Sequence, residues 1–182
     1  MARTGGKRLE LVYSQPDGRR EIYLLALDDP RELPESLAGI EPRFAALLVW
    51  DADRESVPTI SAVTEFLYRA GCISLSTWGR GCERMHDIMD EVSVWLEIDE
   101  GPNPHLHGPD DTEGTTWHSQ SFRSALFYLV CCAHEPGSYA PFARSIVIAI
   151  GADESRLAHI RKALEWPFES PSSESNGSQQ GL

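Results

Sequence analysis

Asp51, Glu83, His86 and His118 are the residues whose types suit general acid–base work, and two nearby segments hold three of them. The densest stretch is STWGRGCERMHDIMDEV, residues 76–92. Within it Cys82, His86 and Asp90 recur every fourth residue, a C-x3-H-x3-D spacing that places three ligand types on one helical surface. Cys82 with His86 or His118 is also the Cys/His pair that nucleophilic catalysis would use, since a thiol near a helix N-terminus is acidified. Gly79-Arg80-Gly81 would let backbone N–H groups approach an anion where the helix starts. Trp78, Gly79, Gly81, Cys82 and, farther along, Trp117 are therefore the ligand-binding candidates. A dinucleotide fingerprint would require a third glycine where Arg84 stands, and there is no G-x-S-x-G elbow. His105, His107, Asp110 and Asp111 have the content of a metal set, but their Pro/Gly-rich loop reads as solvent-exposed polarity. No metal site and no cofactor is assigned.

A plainer account covers the same helix. Cys82, Met85, Met89, Val92 and Leu96 alternate steps of three and four, which makes one apolar stripe for the core. Glu83, Asp87, Asp90 and Glu91 then form a solvated face, and an acid in the first turn suits the helix dipole without any function.

The elements that position these residues follow from periodicity. Residues 9–27 read as a β-hairpin turning at Gln15-Pro16-Asp17-Gly18. Phe44 to Trp50 is a continuous apolar run too short for a core helix, hence a strand buried on both faces. Pro58 opens a helix whose stripe is Ile60, Val63, Phe66 and Leu67 and whose stop is Gly71. CISLS is a second strand, and the helix with the cysteine then runs to about Glu97. Residues 99–116 read as a long polar loop, SFRSALFYLVCCAH as a buried helix and ARSIVIAIG as a further buried strand. Asp153 caps a last amphipathic helix carrying Leu157, Ile160 and Leu164. The expected domain spans residues 9–168, with hairpin 9–27 and core 43–166. Residues 1–8 are expected to be flexible and the Ser-rich tail 169–182 disordered. Alternating strands and helices predict an α/β three-layer sandwich with a mostly parallel sheet and the hairpin at one edge. In such sheets ligands bind beyond the strands' C-terminal ends, which selects Asp51-Ala52-Asp53 and residues 76–83.

Composition limits the function classes. The chain has 182 residues, 28 acids against 16 bases, and a net charge of −12, so it lacks the basic footprint that binding nucleic acid requires. The same charge could steer a basic protein partner. No run approaches the ~20 apolar residues of a membrane span, and no secretory h-region follows the first residues, so no membrane partner is expected. Of the four cysteines, Cys72, Cys131 and Cys132 are expected to be buried free thiols, with none in C-x-x-C spacing. The expected location is cytoplasmic.

W-G-x-x-C-E-x-x-H-D-x-x-D-E (Trp78 to Glu91) together with T-T-W-H (Thr115 to His118) resembles an uncharacterised bacterial family of small α/β proteins, over roughly residues 44–150. That resemblance implies a bacterial, cytoplasmic protein. Ser76-Thr77-Trp78 followed by Cys82-Glu83 is also similar to the Ser-x-Trp-Cys-x-x-Glu stretch of TIR domains, whose NAD-cleaving members use that Glu. Here Gly-Arg-Gly separates Trp78 from Cys82, and Glu83 follows the cysteine directly. Two functions are therefore carried forward. One is an acidic interaction or accessory protein of the regulatory or immunity type. The other is a small hydrolase or nucleosidase using Asp51, Glu83, His86 and His118, which requires those four to converge in one cleft.

Overall fold

The computed structural model describes residues 9–16, 18–106, 114–136, 140–165 and 167. Residues 1–8, Asp17 of the hairpin turn, the segment holding His107, Asp110 and Asp111, and the tail 169–182 lie outside them. In chain order the elements are β1 (Glu10–Ser14), β2 (Glu21–Leu27), β3 (Phe44–Trp50), α1 (Val57–Arg69), β4 (Cys72–Trp78) and α2 (Cys82–Glu100). They continue with β5 (Gly114–His118), α3 (Phe122–Phe127), β6 (Arg144–Ile150) and α4 (Glu154–Leu164).

The strands form one six-stranded sheet in the order β1-β2-β6-β3-β4-β5. Only β1 is antiparallel to its neighbour, so the chain is an α/β protein with the hairpin at the sheet's edge. β3 is buried at all seven positions because helices cover both its faces. Phe44, Ala46, Leu48 and Trp50 pack with Ile60, Val63 and Leu67 of α1 and Met85, Met89 and Val92 of α2. Ala45, Leu47 and Val49 pack on the other side with Ala125 and Leu126 of α3 and Ile160 and Leu164 of α4. Period-2 alternation along the strand thus feeds two cores.

Local chemistry sets the helix ends. The Ser56 side chain accepts from the Thr59 N–H at the start of α1, and Asp153 does the same for Arg156 at the start of α4. Gly71, just past α1, has φ +94°, and an added Cβ would lie 2.5 Å from the Pro42 Cβ. Glycine is required there both for conformation and for space.

Two expectations need correction. Residues 114–116 are not loop: GTTWH is β5, which pairs in parallel with β4 from Ser74↔Gly114 to Trp78↔His118. Five residues with a leading glycine carry too little apolar pattern to reveal a strand that is covered mainly by its neighbours. The segment after Ser121 is also not one buried helix. α3 passes into a π-helical turn at Tyr128–Cys132, which keeps Leu129 and Val130 in the core but turns the cysteines outward. Cys72, in β4, is buried as expected, whereas Cys131 is only half-buried and Cys132 is exposed.

Candidate functional site

β3 continues to β4 on one side while β6 lies on its other side, so the sheet's switch point is between β3 and β6. Asp51 stands there, and its carboxylate is fully engaged. It accepts the Arg80 backbone N–H at 2.9 Å and the Arg156 guanidinium at 3.0 and 3.4 Å, while the Arg80 side chain lies 3.4 Å away. Burial raises the Asp51 pKa, but these donors and the two positive charges outweigh it and hold the carboxyl below its ordinary value. Asp51 is thus an ionised clasp joining the ends of β3 and β4 to α4. Arg156 also lies over the Trp78 ring at 5.0 Å, and Trp78 meets Phe122 edge-on at 5.4 Å. The Trp78 indole N–H donates to the Gln120 carbonyl at 2.8 Å. Trp78 is consequently a packing residue of this corner.

The glycines of the β4–α2 turn have a steric cause. Gly79 has φ +132°, and a Cβ there would sit 2.3 Å from the Trp50 carbonyl oxygen. Gly81 has φ +78°, and a Cβ would be 2.9 Å from the Asp53 Cα. The turn lies directly on the β3–α1 turn, with the Ala52 N–H donating to the Arg80 carbonyl at 2.9 Å. Gly-Arg-Gly therefore serves close backbone packing, and nothing in its geometry requires an anion.

Cys82, at the start of α2, is buried, and its thiol points at the His118 carbonyl at 3.5 Å. One turn on, His86 packs on the Trp117 ring with centroids 4.5 Å apart. The Thr115 hydroxyl donates to the Asp90 carboxylate and lies 3.2 Å from His86 Nε2. Because that hydroxyl has one proton, His86 Nε2 must carry the hydrogen between them. The predicted Cys82-His86-Asp90 surface is real as a line along α2, but it fastens α2 to β5. Among the described residues no three His, Cys, Asp or Glu side chains are grouped to hold a metal ion.

His118 belongs elsewhere. Adjacent strand residues point to opposite faces, so Thr115 and Trp117 face α2 while His118 faces the π-helical turn, 5.0 Å from the Tyr128 ring. Its Nε2 is buried without a hydrogen-bond partner, and burial lowers its pKa. Glu83 is exposed on α2. Asp51, Glu83, His86 and His118 hence do not share a cleft, since the sheet separates His118 from His86 and Glu83. Nor do Trp78 and Trp117 meet, because they face opposite sides of the sheet. A groove lined by Leu9, Leu11, Tyr23 and Leu37 lies at the β1–β2 edge and contains none of the candidates.

A different surface is conspicuous on α2. Between Cys82 and Glu100 there are seven carboxylates and one arginine, and that Arg84 is spent on the Ala52 and Glu55 carbonyls. Among the acids Val94, Trp95 and Ile98 are 56%, 49% and 80% exposed. Sequence reasoning passed over them because it followed the buried stripe. The available signal was three large apolar residues lying off that stripe at spacings of one, three and four. Likewise Thr115 and Arg156, which hold His86 and Asp51, are legible only through tertiary contact.

No curated protein matches this chain. The family model for a domain of unknown function, DUF7684, matches residues 22–166, which takes in β2 from its second residue, every later strand and all four helices. The chain belongs to that family, an uncharacterised one.

Proposed function

We propose that this chain is a bacterial, cytoplasmic interaction or accessory protein, of the regulatory or immunity type, that docks a basic protein partner on the outer face of α2. The observation that carries this reading is the acid-rimmed apolar patch: Val94, Trp95 and Ile98 exposed among carboxylates with no free cation on the helix. Large exposed apolar side chains rimmed by charge are how association surfaces are built, and exposed carboxylates speed the approach of a basic partner. The net charge of −12 adds to that steering. The hydrolase or nucleosidase reading has less support, because its four residues are split across the sheet and the Asp51 carboxylate is held in ion pairs with Arg156 and Arg80.

A photo-crosslinking amino acid at position 95, expressed in the native host, tests the proposal. The expected result is capture of a partner with a basic surface, lost when Glu83, Asp87 and Glu91 are changed to lysine. Capture that survives those charge reversals overturns the reading. A melt against NAD, nucleotides, phosphate and divalent metals covers the enzyme alternative. A shift abolished by Glu83→Ala or His118→Ala would favour it, since a ligand at a hundredfold excess over its Kd stabilises by about 2.7 kcal/mol.

A further inference from the structure

The two outer strands of the sheet are treated very differently. β1 breaks its register between Leu11 and Tyr13, and its Glu10 is bridged by Arg161 of α4 at 3.3 Å. A bulge and a charge are standard means of preventing a strand from pairing further. β5 has neither: GTTWH contains no charged acid or base, no proline, and no break in its pairing with β4. Among the described residues β4 is its only strand neighbour, and Trp117 is 44% exposed. The outward N–H and C=O groups of an unblunted edge strand are a template for another strand.

The side of that edge facing α2 is negative. Asp90 bonds Thr115, so the arc of α2 bearing Asp90 looks over β5, and Asp87 and Glu83 continue it by steps of three and four. All three acids are exposed. A strand added outside β5 would place every second side chain beside Trp117 and these carboxylates, and the alternate ones toward the π-helical turn. A second copy of the chain fits poorly, because it would bring the same acids against themselves at a net charge of −12 each.

We infer that β5 accepts an extended segment of the partner as a seventh strand, and that this segment carries basic residues at alternate positions facing α2. This deepens the proposed function and rests on it: the partner's strand pairs with β5 while its cations meet Glu83, Asp87 and Asp90.

The experiment uses the full chain and two synthetic ten-residue peptides, one alternating lysine with valine and one alternating glutamate with valine. Binding is followed by tryptophan fluorescence, and backbone amide exchange of residues 114–118 by NMR. The lysine peptide is expected to bind, to slow exchange at alternate β5 amides at least tenfold, and to bind about tenfold more weakly to Glu83→Lys/Asp87→Lys. The glutamate peptide is expected not to bind. Lysine-peptide binding without protection of any β5 amide overturns the strand addition and leaves docking on α2 standing. Failure of the lysine peptide to bind, or equal binding of both peptides, overturns the docking reading and this inference together.

Discussion

Gly79→Ala separates a packing role for the Gly-Arg-Gly turn from a ligand-cradling one, and its cost can be worked from the structure. The new methyl would lie 2.3 Å from the Trp50 carbonyl oxygen, 2.8 Å from its carbonyl carbon and 3.0 Å from Asp51 Oδ1, at a φ of +132°. The nearest atoms belong to backbone in a buried strand end, so they cannot rotate away. Backbone strain at such a φ costs about 1–3 kcal/mol, and overpacking of a well-filled site adds about 1–3 kcal/mol. A loss of about 3–5 kcal/mol is therefore expected, a large part of the 5–15 kcal/mol that domains typically possess. Gly101→Ala is the control, since Gly101 has φ +91° with nothing within 4 Å of the added Cβ. With ψ at −178° it bears comparable backbone strain, about 1–3 kcal/mol, but no clash. The variants should then differ by the overpacking alone, about 1–3 kcal/mol, which at roughly 2–4 °C per kcal/mol separates thermal melts of the ligand-free proteins by about 2–12 °C. If Gly79→Ala melts within a degree of Gly101→Ala, the steric account of the turn is wrong and the glycines must be explained by a bound group.

Asp51→Asn should destabilise the fold by about 1–3 kcal/mol at pH 7, by leaving Arg156 without its charged acceptor. Because the folded pKa of Asp51 is depressed, its contribution is present above the unfolded value near 3.9 and disappears as pH falls through the folded pKa. The gap between wild type and variant should accordingly close in acid, and a gap that persists at pH 2 would contradict the clasp. His118 is half-buried with its Nε2 out of contact with solvent and its pKa depressed, so the unfolded chain takes up its proton first and stability falls as pH drops below about 6.5. His118→Phe retains an aromatic ring against Tyr128 and removes the orphaned Nε2, so it should gain on wild type as pH falls from 7 to 5. Denaturation curves at the two pH values decide this. Thiol labelling of the native protein should modify Cys132 first, with Cys72 and Cys82 reacting only as the chain unfolds. Rapid modification of Cys82 would restore it as a candidate nucleophile.

The apolar runs of β3 and β6, Pro58 in the first turn of α1, the cap at Asp153, and the stripe of Cys82, Met85, Met89, Val92 and Leu96 were all legible in the sequence. Each is a local matter, because burial on two faces, a first-turn proline, a capping carboxylate and a 3.6-residue period leave their mark within a few consecutive residues. The α/β class followed from the alternation of such segments, and the choice of the strand ends at Asp51–Asp53 and residues 76–83 from the general behaviour of parallel sheets. What tertiary structure alone decided is which chemical groups meet. Asp51 is claimed by Arg156, 105 positions away, and His86 by Thr115 and Trp117 of a strand too short to be read from pattern. His118 and Trp117 are neighbours in the chain yet lie on opposite sides of the sheet, and that single fact divides the predicted acid–base set. A sequence records side-chain type and local period, whereas convergence depends on strand order, register and facing, which arise only when distant segments pack.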